Sequence, residues 1–297
     1  MSNIKLLVTG ASSQVGSALC ARALNAGMSV VWPEDSILNS LQLESIQAAI
    51  ASYKPDYVVN TLSYSVVDLA QDNPHKNHVA NHDMAMILAQ ACHGLDLPLL
   101  HLSTDYVFDG EQRAPYKEDA YTAPVNRFGE AKLAAEQAIN QHCPKHIIVR
   151  VGWIFSAQGN NFVLRTLRQL QEHHYVKAVC DQQGCPTYAS DVARVLIAII
   201  KQLDCDINVW GTYHYSGAEV TSWKGFAEAI LAAAKKHGVT QAQTIDAVTS
   251  LEWPANAPRP AYSVLDCTKI LSTFGIRQRP WRSGLVKVID QVFKLTQ

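Results

Sequence analysis

Ile4-Lys5-Leu6-Leu7-Val8-Thr9-Gly10-Ala11-Ser12-Ser13-Gln14-Val15-Gly16 is the stretch on which the fold turns. Residues 4–8 form a short apolar run, as expected of a buried parallel strand, and the run breaks at Thr9-Gly10. From Val15 onward, Leu19, Ala23 and Ala26 recur at helical spacing, and Gly27 marks the stop. A strand–loop–helix junction of this kind presents backbone N–H groups and a positive helix end, the arrangement that receives a dinucleotide pyrophosphate. Gly10, Ser12, Ser13, Gln14, Val15 and Gly16 are therefore candidate cofactor-binding residues. A GxxGxxG loop would carry its middle glycine at Ser13. A side chain there either crowds the pyrophosphate or donates to it.

The same alternation continues outward. Strands are expected over 29–32, 57–60, 99–103 and 146–151, with helices around 43–53, 79–93 and 128–141 between them. Strands alternating with helices predict an α/β fold, a Rossmann-type doubly wound parallel sheet. Residues 1–150 read as the dinucleotide-binding domain and 151–297 mainly as a smaller C-terminal substrate-binding lobe, with segments near 180–205 returning to the first domain. Helices are expected there at 162–172, 190–202, 222–237 and 282–294. At the end of the second strand, Glu34 either accepts from an adenosine ribose 2′-hydroxyl, leaning towards NADH over NADPH, or is a solvated acid. Asp35 beside it would repel a 2′-phosphate.

Composition bounds the function. Of 297 residues, 48% are apolar and 17% charged, enough for a sizeable core and against disorder. With a net charge of -1 and no run of like charges, a nucleic-acid or anionic-membrane partner is not expected. The seven cysteines have no CxxC spacing, and the eleven histidines read as surface or polar-pocket residues, so no metal site is expected. No signal segment or membrane span is read, and a cytoplasmic location is expected.

Two further segments carry chemistry. Leu99-Leu100-His101-Leu102-Ser103-Thr104-Asp105-Tyr106-Val107-Phe108-Asp109-Gly110 starts as a strand and ends in a polar loop, the end of a parallel strand at which ligands bind. Asn126-Arg127-Phe128-Gly129-Glu130-Ala131-Lys132 sets Phe128 and Lys132 one helical turn apart on one face. With these, Pro55-Asp56-Tyr57-Val58-Val59-Asn60, Tyr64-Ser65-Val66-Val67-Asp68, Gly159-Asn160-Asn161-Phe162-Val163, Asp181-Gln182-Gln183-Gly184-Cys185-Pro186-Thr187, Thr221-Ser222-Trp223, Arg259-Pro260-Ala261-Tyr262-Ser263-Val264-Leu265-Asp266 and Pro280-Trp281-Arg282 follow in order. Nearly end to end, the chain resembles the dTDP-4-dehydrorhamnose reductase family of extended short-chain dehydrogenases/reductases.

That resemblance implies hydride transfer from NADH or NADPH to the C4 ketone of a dTDP-linked 6-deoxysugar, giving dTDP-L-rhamnose, and a homodimer. It implies a hydroxyl at Thr104, with Ser103 close by, that polarises the ketone, and an ammonium at Lys132 that grips the nicotinamide ribose. Ser63 and Tyr64 would also face the cofactor. Asp105, Tyr106, Trp153, Asn160, Asn161 and Arg259 would face the substrate, with Trp153 stacking on sugar or base and Arg259 pairing either with a diphosphate or with a structural partner. Asn161 also suits the N-cap of the helix that follows. The family's proton-donating tyrosine falls at Phe128, which has no titratable atom. Ser13 and Leu69, where the family carries lysine, are further departures. The implied enzyme is therefore attenuated. The alternative is a non-catalytic nucleotide- or sugar-nucleotide-binding regulatory protein on the same fold, like the regulatory subunit of methionine adenosyltransferase.

Overall fold

The computed structural model describes residues 4–34, 37–38, 41–205, 207–238 and 240–295. The chain begins with strand β1 (Lys5–Thr9), helix α1 (Gln14–Asn25), β2 (Ser29–Val31), α2 (Leu43–Tyr53) and β3 (Tyr57–Asn60). Two short helices, α3 (Val67–Asp72) and α4 (Pro74–His78), then run through a π-helical turn (Val79–Asp83) into α5 (Met84–Gly94). β4 (Leu99–Thr104), α6 (Arg127–His142) and β5 (His146–Val151) complete this half. The expected helix over 79–93 is thus interrupted at its start: five residues adopt the wider π turn.

β1 pairs in parallel with β2 on one side and β3 on the other, and β4 and β5 extend the sheet beyond β3. A sixth parallel strand, from residues 211–214, pairs with β5. The order reverses at β1, so the connections leaving β1 and β3 diverge to opposite faces and open a crevice beyond their C-terminal ends. The fold is Rossmann-type α/β. Period-two alternation sorts the strand side chains. Leu6 and Val8 face the layer containing α1, while Leu7 faces the layer of α2, α5 and α6.

After β5 come β6 (Ile154–Phe155), α7 (Phe162–Glu172), β7 (Tyr175–Val179), β8 (Gln183–Gly184), β9 (Thr187–Tyr188), α8 (Ala189–Leu203), β10 (Gly211–His214), β11 (Thr221–Ser222), α9 (Trp223–Ala234), β12 (Thr244–Val248), α10 (Thr268–Phe274) and α11 (Trp281–Leu295). α8 packs on α1, and its Val192, Leu196 and Ile200 belong to the core of the main sheet. A separate apolar core gathers α7, β7, α9, β12 and α11, including Phe155, Phe226 and Trp281. Parallel pairing of β7 with β12 fastens this second body. Among the described residues no helix is long and apolar enough to cross a membrane.

Candidate active site

The loop after β1 bends tightly. Gly10 takes φ +72°, and a Cβ there would stand 2.7 Å from Leu62 N. A Cβ on Gly16 would lie 2.0 Å from Gly10 O, so only glycine lets α1 start this close to β1. Ser13 neither crowds the loop mouth nor points across it. Its Oγ accepts from Gly16 N at 3.0 Å as the N-cap of α1 and meets Thr61 Oγ1 at 3.1 Å. Ser12 is exposed on the loop's outer side. The remaining first-turn N–H groups, at Gln14 and Val15, have no intrahelical acceptor to reach.

Behind this loop a polar chain runs through the sheet. Thr9 Oγ1 donates to Asn60 Oδ1 at 2.8 Å, and Leu62 N donates to the same oxygen at 3.1 Å. Two donors on that oxygen leave the Asn60 amide NH2 facing His101 Nδ1, 3.0 Å away. The His101 proton therefore resides on Nε2, aimed at Lys132 Nζ at 3.0 Å. Lys132 also donates to Leu102 O at 2.5 Å and is only 2% exposed. Burial lowers Lys132 to about 8, with Glu136 pulling it back up. Burial, with Lys132 and then His146, holds His101 well below its ordinary value, so the imidazole stays neutral.

Thr104 ends β4 beside this chain. Its Oγ1 donates to Asp105 Oδ1 at 3.1 Å and accepts from Tyr106 N at 3.2 Å. Ser103 Oγ is buried without a hydrogen-bond partner. Asp105 is 2% exposed, and burial lifts its carboxyl to about 7, against the pull of the nearby Ser263 and Thr104 hydroxyls. α6 approaches the same place because Gly129 has no side chain; a Cβ would stand 2.1 Å from Tyr106 O. The Asn126 side chain caps that helix at Gly129 N, 2.9 Å. Phe128 consequently lies edge-on to Tyr106, ring centres 6.1 Å apart, in a small apolar cluster with Ala70, Tyr64 and Val67. Where a proton donor was sought, the structure has hydrocarbon.

The second body closes over the crevice. Trp153 holds φ +51°, a left-handed conformation that a bulky residue adopts only under local constraint, and its ring stacks on Trp223 at 3.5 Å and 2°. Asn161 caps α7, accepting from Leu164 N, while its NH2 is shared among Ser156 O, Gln158 O and Gln14 Oε1. Its amide is thus committed to joining α7 to the phosphate loop, whereas Asn160 stays exposed at the rim. Arg259 forms a two-pronged pair with Asp68, at 3.1 and 2.7 Å. Burial alone would raise the Asp68 carboxyl, but the Arg259 guanidinium outweighs it and holds it below its ordinary range.

These parts enclose one cavity of about 800 Å³. Ser13, Gln14, Val15, Ser63, Ser103, Thr104, Asp105, Tyr106, Phe128, Lys132, Trp153, Asn160, Asn161 and Arg259 all line it. Gly10, Ser12 and Gly16 support the loop from outside its wall. Tyr64 is half-buried behind Phe128, its backbone N–H bound by Asn81 Oδ1 at 3.0 Å. Glu34 is exposed beyond β2 and off the cavity wall, and Asp35 lies outside the described residues. Sequence reasoning missed Arg165, Lys177, Trp223 and Trp253, which also line the cavity. Arg165, one turn into α7 after Asn161, was within reach of helical spacing. It also missed the HxxxH spacing of His78 and His82. With Asp83 these form a group that could hold a metal ion, away from the cavity, and His82 Nδ1 meets Asp83 Oδ1 at 2.7 Å.

Comparison with known proteins agrees with this architecture. The family model described as RmlD substrate binding domain matches residues 4–294. A dTDP-4-dehydrorhamnose reductase of Sinorhizobium fredii is 33% identical over 288 residues, 96% of this chain and 97% of that protein. Another, of Aggregatibacter actinomycetemcomitans, is 35% identical over 287 residues, 96% and 98% respectively. A crystal structure of a dTDP-4-dehydrorhamnose reductase from Clostridium acetobutylicum aligns with TM-score 0.90 and 29% identity, covering 98% of this chain and 100% of its own. The Bacillus anthracis enzyme, solved in complex with NADP, gives TM-score 0.87 and 29% identity, covering 97% and 99%. Matched along nearly its whole length, the chain belongs to the dTDP-4-dehydrorhamnose reductase family.

Proposed function

We propose that this protein reduces the C4 ketone of a dTDP-4-keto-6-deoxysugar, dTDP-4-dehydrorhamnose, using NADH or NADPH, at an attenuated rate. The observation that carries the reading is the shared cavity in which the phosphate loop, buried Lys132 and the Thr104 hydroxyl face Trp153 and Arg259 of the second body. The residues fit a dinucleotide. The glycines at 10 and 16 let α1 start close against β1, which sets its first turn, Gln14 and Val15, on the cavity wall, and Ser103 Oγ is a buried polar atom without a partner. A reduced nicotinamide bound there supplies the hydride.

The chain's own part is to hold and polarise. Gln14 and Val15 offer first-turn N–H groups to a pyrophosphate, and Lys132 offers its amine to the adjoining ribose. Thr104 is the hydroxyl that hydrogen-bonds the ketone oxygen, and Trp153 with Trp223 gives a flat apolar wall for sugar or base. Arg165, with no ion pair among the described residues, is the cation best placed for the diphosphate, since Arg259 is held by Asp68. Phe128 withholds the general acid, a loss of roughly 10² to 10⁴ in rate. That same residue favours a second reading, a nucleotide- or sugar-nucleotide-binding regulatory protein without turnover.

The test follows nicotinamide absorbance with dTDP-4-dehydrorhamnose, NADH and NADPH, using this protein and its Phe128→Tyr variant. Slow turnover by the parent and a gain of about 10² or more in the variant are expected. If neither oxidises the cofactor although the nucleotide sugar binds, the regulatory reading replaces this one.

A further inference from the structure

With Phe128 in place, the reduction still needs a proton for the developing alkoxide, and the cavity offers few sources. Arg259 is locked to Asp68. Burial pushes the Tyr106 phenol far above its ordinary value, which makes it a much weaker acid than a carboxyl in the same wall. Lys132 donates to Leu102 O, stands against His101 and is the group assigned above to the cofactor's ribose.

Asp105 is different. It is a buried carboxyl with no ion pair among the described residues, and its Oδ2 has no hydrogen-bond partner. An ionised carboxylate would leave that oxygen uncompensated, so the enclosure favours the acid. Gly152 backs directly onto it, where a Cβ would stand 2.6 Å from Asp105 Cγ. The groups that face it from neighbouring segments are the hydroxyls of Thr104 and Ser263, the Tyr106 phenol and the Cys185 thiol, none of them a cation. Its link to the cavity is the 3.1 Å hydrogen bond with Thr104 Oγ1.

That bond has two states with different consequences. A hydroxyl has one proton to donate. When Asp105 is ionised, Thr104 spends that proton on the carboxylate and turns only lone pairs to a ketone, which needs a donor. When Asp105 is protonated, the carboxyl donates to Thr104 Oγ1, and the Thr104 proton is released towards the cavity.

We propose that Asp105 is the proton source for the reduction, acting through Thr104. The reading rests on the reductase function proposed above. Hydride from the nicotinamide forms the new C4–H bond while the carbonyl π pair moves to the oxygen. That oxygen takes the Thr104 hydroxyl proton, and Thr104 Oγ1 takes the Asp105 carboxyl proton as its own O–H bond breaks. The ketone is reduced to an alcohol, the nicotinamide is oxidised, and Asp105 is left as a carboxylate. It reprotonates through the cavity that it lines once product has left. Asp105 is a positioning residue that arms Thr104 and recharges it.

The experiment is a pH profile of kcat/KM for four proteins: parent, Asp105→Asn, Phe128→Tyr and the double variant, each with substrate affinity measured separately. Asparagine keeps a donor towards Thr104 but has no proton to give. The expected result is a parent rate that falls as pH rises through about 7. Asp105→Asn should lose about 10²-fold in kcat with binding retained and that pH limb abolished. In the Phe128→Tyr background, where a phenol supplies the proton, the same replacement should cost far less. Parent turnover that is unaffected by Asp105→Asn, or an Asp105→Asn loss equal in both backgrounds, overturns the relay while leaving the reductase standing. Absence of turnover in both parent and Phe128→Tyr, with substrate bound, overturns both. Should Asp105→Asn not fold, the parent profile decides alone: a rate flat through that pH range refutes the relay.

Discussion

Replacing Asp105 by asparagine should stabilise the protein at alkaline pH, even as it harms catalysis. The carboxyl is enclosed with no ion pair among the described residues, so burial outweighs its hydroxyl partners and folding lifts it from 3.8 to about 7. A folded-state value above the unfolded one means that the native state binds the proton more tightly. The stability this confers is fully present below about pH 4 and is lost as pH rises through about 7. At about 1.36 kcal/mol for each unit of pKa, the whole swing comes to about 4 kcal/mol. The substituted amide would be nearly isosteric with the carboxyl and would not titrate. The difference in unfolding free energy, variant minus parent, should therefore grow by about that amount between pH 4 and pH 8. Every other titrating group cancels in the subtraction, except Tyr106 and Cys185, which ionise at higher pH. Urea titrations of both proteins at several pH values would read it as a relative shift of about 1 M in midpoint. A difference that stays flat would show that Asp105 is ionised and solvated in the native protein, and the argument from its enclosure would fail.

Two further outcomes are expected. Glu136→Ala leaves the Arg150 guanidinium, now paired at 2.7 Å and 6% exposed, without its partner, and thermal or urea unfolding should show a loss of about 3–5 kcal/mol. Gly184→Ala drives a methyl group to 2.4 Å from Trp153 Cε2, so the indole pair must shift; indole fluorescence should change and KM rise about tenfold with kcat little altered.

Local signals were legible where physics is local. The turn at Gly10, the helical run from Val15 and the one-turn spacing of Phe128 and Lys132 each depend on neighbours in sequence, and each appears as expected. Parallel strands of apolar residues announced themselves for the same reason. β10 did not, because Gly211-Thr212-Tyr213-His214 is short, polar and held in the sheet only by pairing with β5. The commitments of the site were also hidden. Nothing local shows that Asn161 spends its amide on Gln14, 147 positions away, or that Arg259 is taken by Asp68, 191 positions away. The capping role of Ser13 depends on its own backbone and could have been read, since serine is among the residues best suited to start a helix. The polar chain from Asn60 through His101 to Lys132 was hidden too, because only the sheet register of β3 and β4 brings Asn60 and His101 together.

The π turn at Val79–Asp83 makes chain length itself a determinant of the site. Asn77 donates to Arg127 O at 2.6 Å beside Phe128, and Asn81 grips Ser63 and both backbone ends of Tyr64. A regular helix would make that turn with one residue fewer, so a single deletion here would convert the π turn into an α turn and leave α5 downstream in register. The 2.7 Å hydrogen bond from Asn81 to Asn77 enters that turn, so the grip of Asn81 on Ser63 and Tyr64 would shift. Variation in length among such helices would thus retune the crevice without altering any residue that touches a ligand, a route to divergence that substitution counts would not register.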